Sequence, residues 1–127
     1  MNRRMIVCGG SNFNDYSLLE SSLNRVLSEY SNDIIEIISG HAKGADSLGE
    51  RYALEKGLKC TIFKAEWSKY GRAAGPIRNS QMLEYAQQKN PTVIAFWDGK
   101  SHGTKDTITK AKKLNIACEV IMYKGEN

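Results

Sequence analysis

Apolar positions along the chain fall into two alternating patterns. Short apolar runs at Met5–Val7, Ile34–Ile38, Cys60–Phe63, Val93–Phe96 and Cys118–Met122 predict five strands. Between them the apolar spacing lengthens to three and four residues, which is the period of a helix with one buried face. Tyr16, Leu19, Leu23, Val26, Leu27 and Tyr30 predict a first helix over Asp15–Tyr30, capped by Asn14 or Asp15. Ala45, Leu48, Gly49, Tyr52 and Ala53 predict a second, ended by Gly57 in the glycine position past a helix. Arg78, Met82, Tyr85 and Ala86 mark a third, with Pro76 in its first turn, and Thr104, Thr107, Ile108 and Ala111 mark a fourth. Only Lys64–Gly75 lacks a period, and an aperiodic stretch of that length usually has a functional or covering role. The tail Lys124–Asn127 is expected to fray.

Strands alternating with helices predict an α/β domain with a parallel sheet wrapped by helices on both faces. Right-handed crossovers with one reversal give the strand order 3-2-1-4-5, and ligands sit at the carboxyl ends of the strands beside the reversal. In that order the loops after strands one, two and four are neighbours. All three are rich in glycine: Gly9-Gly10-Ser11-Asn12, Ser39-Gly40-His41-Ala42-Lys43-Gly44 and Asp98-Gly99-Lys100-Ser101-His102-Gly103. The aperiodic stretch is explained as the passage from the sheet's edge back past strands two and one.

Composition narrows the class without naming a ligand. At 127 residues and 41% hydrophobic content the chain suits one domain, residues 1–127, with a single core. No apolar run reaches the ~20 residues of a membrane span, and the N-terminus turns from apolar to glycine too soon for a signal peptide. Cys8, Cys60 and Cys118 are odd in number and lack metal-ligand spacing. They are expected as buried reduced thiols, in keeping with a cytoplasmic address. The net charge of +4 and pI near 9.0 are compatible with an anionic partner. Much of that excess, Lys100, Lys105, Lys110, Lys112 and Lys113, runs along the fourth helix, where a solvated face is the default reading.

The residues at the three loops point to an anion. Glycines admit close approach of a ligand to the backbone, and the first turns of the second and fourth helices offer unpaired N–H groups at the positive end of a helix dipole. Lys43, Arg72, Arg78, Lys100 and Lys105 lie near enough in sequence to counter phosphate charge. Arg78 leads, because a planar guanidinium grips a phosphate or carboxylate through two parallel bonds; its alternative role is a structural ion pair. Phe13, Trp67, Tyr70 and Trp97 are placed to stack on a base or else to fill the core. Asp46 and Asp98 stand where acids bind ribose hydroxyls or a metal, or else serve the helix dipole and the turn. His41 and His102 lack the partner spacing of a metal site, and no Ser/His/Asp or Cys/His nucleophile set is visible. No metal and no required cofactor is assigned.

Four stretches carry a family resemblance: C-G-G-S-N-F-N-D at Cys8–Asp15, S-G-H-A-K-G-A-D-S-L-G-E at Ser39–Glu50, Y-G-R-A-A-G-P-I-R-N-S-Q-M at Tyr70–Met82 and A-F-W-D-G-K-S-H-G-T at Ala95–Thr104. Together they resemble the SLOG superfamily of Rossmann-like domains, most closely its YspA/YpsA-related group. The resemblance implies a three-layer Rossmann-like fold and a nucleotide-derived ligand, such as a nucleoside phosphate, an NAD- or ADP-ribose-like molecule or a cyclic nucleotide, held by a sensor or sequestering module. The ligand residues it implies with the loop argument are Gly9, Gly10, Ser11, Asn12, Phe13, Ser39, Gly40, Lys43, Gly44, Asp46, Trp67, Arg72, Gly75, Arg78, Asn79, Asp98, Gly99, Ser101, Gly103 and Thr104.

Two alternatives come with the superfamily. LOG enzymes, which release a base from a nucleoside monophosphate, carry R-K-x-x-M and P-G-G-x-G-T-x-E-E motifs. Here Arg78 and Met82 are kept, while Asn79 replaces the lysine, Asp106 stands for the first glutamate and Thr107 for the second. A phosphoribohydrolase would use Arg78 and Asp106 as its catalytic pair, with a carboxylate one methylene shorter than the motif supplies. DprA-like binding of single-stranded nucleic acid through the lysine-rich helix and the loop aromatics is the other alternative, and related folds often pair as dimers.

Overall fold

The computed structural model describes residues 1–125. In chain order the elements are β1 Asn2–Gly9, α1 Tyr16–Ser28, β2 Ile34–Ser39, α2 Ala45–Lys56, β3 Lys59–Ile62, α3 Trp67–Tyr70, a 3₁₀ turn at Gly71–Ala73, α4 Ala74–Gln87, β4 Pro91–Trp97, α5 His102–Lys113 and β5 Ala117–Met122. The five strands make one parallel sheet in the order β3-β2-β1-β4-β5, as the alternation predicts. Of the tail expected to fray, Glu126 and Asn127 lie outside the described residues.

The period of two in a strand sends successive side chains to opposite faces, and the core divides accordingly. Met5 and Val7 of β1 pack with Leu19, Leu23, Val26 and Tyr52, so α1 and α2 cover one face. Ile6 and Cys8 pack with Met82, Leu83, Ala86, Ile108 and Ala111, so α4 and α5 cover the other. Each fully buried aliphatic side chain there stabilises the fold by roughly 1.5–3 kcal/mol before ordering costs. The sheet is thus buried on both sides, which is why β1 and β4 read as unbroken apolar runs.

The aperiodic stretch is more ordered than its sequence suggests. It holds the one-turn helix α3 and a 3₁₀ turn, and α4 begins at Ala74, still leaving Pro76 in its first turn. A four-residue helix is too short to show a period. At its far end α4 is pinned by Arg4, whose guanidinium lies 3.6 Å from the Tyr85 ring centroid and donates to the Tyr85 carbonyl at 2.7 Å. No described helix is long and apolar enough to cross a membrane.

Candidate functional site

Between β1 and β4 the order of the sheet reverses, and their adjoining loops run in opposite directions away from it. A cleft of about 140 Å³ lies there. Its walls are the end of β1 at Cys8 and Gly9, Ser11 in the next loop, Ala42 and Asp46 after β2, Arg78, Asn79 and Met82 on α4, and Ser101, Gly103, Thr104 and Thr107 at the start of α5. Segments far apart in sequence therefore meet at one rim.

The α5 wall is built by its turn. Asp98 Oδ1 accepts from the backbone N–H groups of Lys100 and Ser101, both at 2.9 Å, and these bonds hold its carboxyl below the usual carboxylate range. Asp98 shapes the turn. Ser101 caps the helix, its Oγ accepting from Thr104 N–H at 3.5 Å and lying 3.1 Å from Thr104 Oγ1. Among the described residues the N–H groups of His102 and Gly103 have no acceptor, as the first turn of a helix leaves them. Space beside Gly103 Cα is open, so a guest can reach these amides.

The α2 wall is partly used by the protein itself. The N–H of Ala45 is taken by the Gly10 carbonyl at 3.2 Å, which closes the loop after β1 onto this position, while among the described residues the N–H groups of Asp46 and Ser47 have no acceptor. Gly44 makes that closure: its φ is +81°, and a Cβ there would lie 2.3 Å from the Gly10 carbonyl oxygen. Asp46 sits behind it, 4% exposed, accepting from Ala42 N–H at 3.2 Å. Burial pushes the Asp46 carboxyl up to about 6, against the opposing pull of the Ala42 amide and of Arg78.

Arg78 and Asp46 flank one point. A methyl group on Gly40 would stand 2.8 Å from both Arg78 Nη1 and Asp46 Oδ2, so the missing side chain of Gly40 is the space their heads occupy. Arg78 has no carboxylate partner among the described residues; its Nη1 donates to Gly40 O at 2.6 Å and its Nε to Asn79 Oδ1 at 2.9 Å. Asn79, 4% exposed, turns its amide the other way, to Gly103 O at 3.3 Å and Asp106 Oδ2 at 3.1 Å. Asp106 is tied further to Lys110 Nζ at 2.9 Å, and Lys110 also donates to Pro76 O at 2.8 Å. Asp106 thus braces α5 against α4, and the cleft wall runs instead through Thr104 and Thr107.

Residues 3–70, more than half of the chain, match the model of the family described as YAcAr: YspA, cpYpsA-related SLOG family. The chain belongs to that family. No curated protein and no solved structure matches it. The matched stretch carries the loops after β1 and β2 and ends at Tyr70, so Arg78 and the α5 turn lie beyond it. Membership suggests nucleotide-related ligands in general.

In this SLOG domain the remaining candidates divide by position. Phe13 is a core residue, 2% exposed and stacked on Phe96 with centroids 4.8 Å apart, which removes it from stacking on a base. Asn12 accepts from Tyr123 Oη at 2.5 Å, and Gly10 leaves room for that hydroxyl, since a Cβ would lie 1.9 Å from it. Gly9 likewise serves packing, against Phe96 O and Ala45. Ser39 is fully buried and donates to Glu50 at 2.7 Å. Trp97 donates to Ser101 O at 3.0 Å. Lys43, Arg72, Gly99, Lys100 and Lys105 are exposed. Cys8, Ala42, Met82 and Thr107 line the cleft without having been singled out for a ligand; Thr107 was legible as the next inward position after Thr104 on the helix stripe.

Proposed function

We propose that this protein binds a nucleotide or nucleotide-derived ligand, with a phosphate in the cleft between β1 and β4, and acts as a sensor or sequestering module. The observation that carries this reading is that Gly103, whose amide is free, and Arg78, whose guanidinium has no carboxylate partner among the described residues, line one small cleft. Amides at a helix start and a guanidinium recognise the same group, an oxyanion, and do so with fixed geometry. Family membership supplies the nucleotide part of the proposal. The hydrolase alternative is disfavoured because it asks a carboxylate to work at the sugar, whereas Asp106 is engaged by Asn79 and Lys110.

Calorimetry on the full chain against AMP, ADP-ribose, NAD and cyclic nucleotides tests the proposal. Binding of at least one, weakened at least about tenfold in Arg78→Ala, is the expected result. No heat with any member of the panel overturns it. Incubation with AMP followed by chromatography should yield no free base, and release of adenine would return the hydrolase to first place.

A further inference from the structure

The cleft is too small for the ligand just proposed. Sites for small molecules commonly enclose roughly 300–1,000 Å³, and this one encloses about 140 Å³. A phosphate fits, and the rest of a nucleotide must lie elsewhere. A second hollow of about 240 Å³ adjoins it, lined by Gly40, His41, Ala42, Lys64, Ala65, Trp67 and Arg78. Arg78 and Ala42 belong to both hollows, so the guanidinium stands on the divide between them.

The second hollow has a flat wall. Trp67 is 61% exposed, although an indole left in water forgoes a large burial gain. Its ring is braced from behind by the start of α4, where Gly75 leaves room for it: a Cβ there would stand 3.4 Å from Trp67 Cη2. His41 forms another part of the lining, its Nδ1 2.9 Å from Glu50 Oε2 and its N–H donating to Ser39 Oγ at 3.1 Å. Lys64 supplies positive charge, and no carboxylate lines this hollow.

We infer, resting on the nucleotide reading above, that the Trp67 hollow is the seat of the ligand's aromatic base. The preferred ligand class is then a nucleotide whose base stacks on Trp67 while its phosphate reaches past Arg78 to the α5 amides. A phosphorylated sugar without a base fills only the first hollow.

The test compares AMP and ADP-ribose with ribose 5-phosphate by calorimetry, on the wild-type chain, Trp67→Ala and Trp67→Phe. Stacking on one aromatic ring is worth about tenfold or more in affinity. The wild type should bind AMP at least about tenfold more tightly than ribose 5-phosphate, and Trp67→Ala should erase that advantage while leaving ribose 5-phosphate unchanged. Trp67→Phe should recover most of it, which a merely structural role for Trp67 would not require, and thermal melts of all three proteins check folding. If AMP and ribose 5-phosphate bind the wild type equally, or Trp67→Ala leaves the AMP advantage intact, the base seat is refuted while the phosphate site stands. If none of the three compounds binds the wild type, and NAD and cyclic nucleotides give no heat either, both readings fall.

Discussion

Arg78 donates to the Gly40 carbonyl at 2.6 Å, a bond between residues 38 apart that fastens the start of α4 to the loop after β2. With Nε on Asn79, two edges of the guanidinium are spoken for by the protein, and the head is aimed before any guest arrives. Preorganisation of this kind favours binding because the side chain has little freedom left to lose. Arg78→Ala should weaken nucleotide binding by at least about tenfold, the usual worth of a charge-assisted bond, and lower stability by about 1 kcal/mol. Arg78→Lys should fail to restore affinity, since an ammonium cannot hold Gly40, Asn79 and an anion in the same fork. Calorimetry and urea unfolding separate the two effects.

Asp46 should make both stability and nucleotide binding depend on pH. Its carboxyl titrates at about 6 in the fold against 3.8 ordinarily, so the buried neutral form is the comfortable one. Its contribution to stability is therefore full below pH 3.8 and is lost as pH rises through about 6. The loss is on the order of 2–3 kcal/mol, and Asp46→Asn should remove it, which urea midpoints on either side of that window will reveal.

The same titration acts on the guest. Above about 6 an anion in the cleft faces a carboxylate, and below it a neutral acid. ADP-ribose, whose pyrophosphate stays ionised throughout, should bind more weakly as pH rises through that value. His41 lines the neighbouring hollow, so the measurement belongs in a His41→Gln background. A slope that survives Asp46→Asn in that background would assign the effect to another group.

Two glycines at helix starts should respond in opposite ways to alanine. At Gly44 a methyl meets the Gly10 carbonyl at 2.3 Å with φ at +81°, so Gly44→Ala should cost about 2 kcal/mol or more and misalign the cleft. At Gly103 nothing lies within 4 Å and the backbone is helical, so Gly103→Ala should hold or raise the melting point. It should still weaken nucleotide binding, because Gly103 lines the cleft and the added methyl takes up space there. Paired melts and titrations of the two variants will show whether stability and affinity part company.

Asn79 couples the two walls. Asn79→Ala removes the acceptor for Arg78 Nε and the donor to Gly103 O and Asp106, all close to a buried position. A loss of about 1–3 kcal/mol is expected from the unpaired partners, together with weaker nucleotide binding. Asp106→Asn, by contrast, gives up a half-exposed ion pair and should change stability by less than about 1 kcal/mol with binding intact.

The sheet and its order were legible because they rest on local signals: strand runs, helical stripes and one topological reversal. So was the meeting of the loops after β1, β2 and β4, together with Arg78 one turn into its helix. The division of labour among glycines was not. Gly9, Gly10, Gly40 and Gly44 look alike in sequence, and their roles are set by Phe96, Tyr123, Arg78 and each other's carbonyls across the fold. Of the two readings open for Phe13 the core one holds, since Phe96 and Tyr123 draw it inward from a loop. Asp106 kept the position of a family carboxylate, and only the reach of Lys110 and Asn79 revealed its structural engagement.

The Gly10 carbonyl accepts from Phe13 and from Ala45, each at 3.2 Å, and so rivets the turn after β1 to the head of α2. That half of the mouth behaves as a fixed jaw: it cannot swing outward without dragging a whole helix along. The neighbouring hollow is built differently: α3 and the 3₁₀ turn, which bring Trp67 to it, bury no side chain, so that side yields more readily than the riveted one.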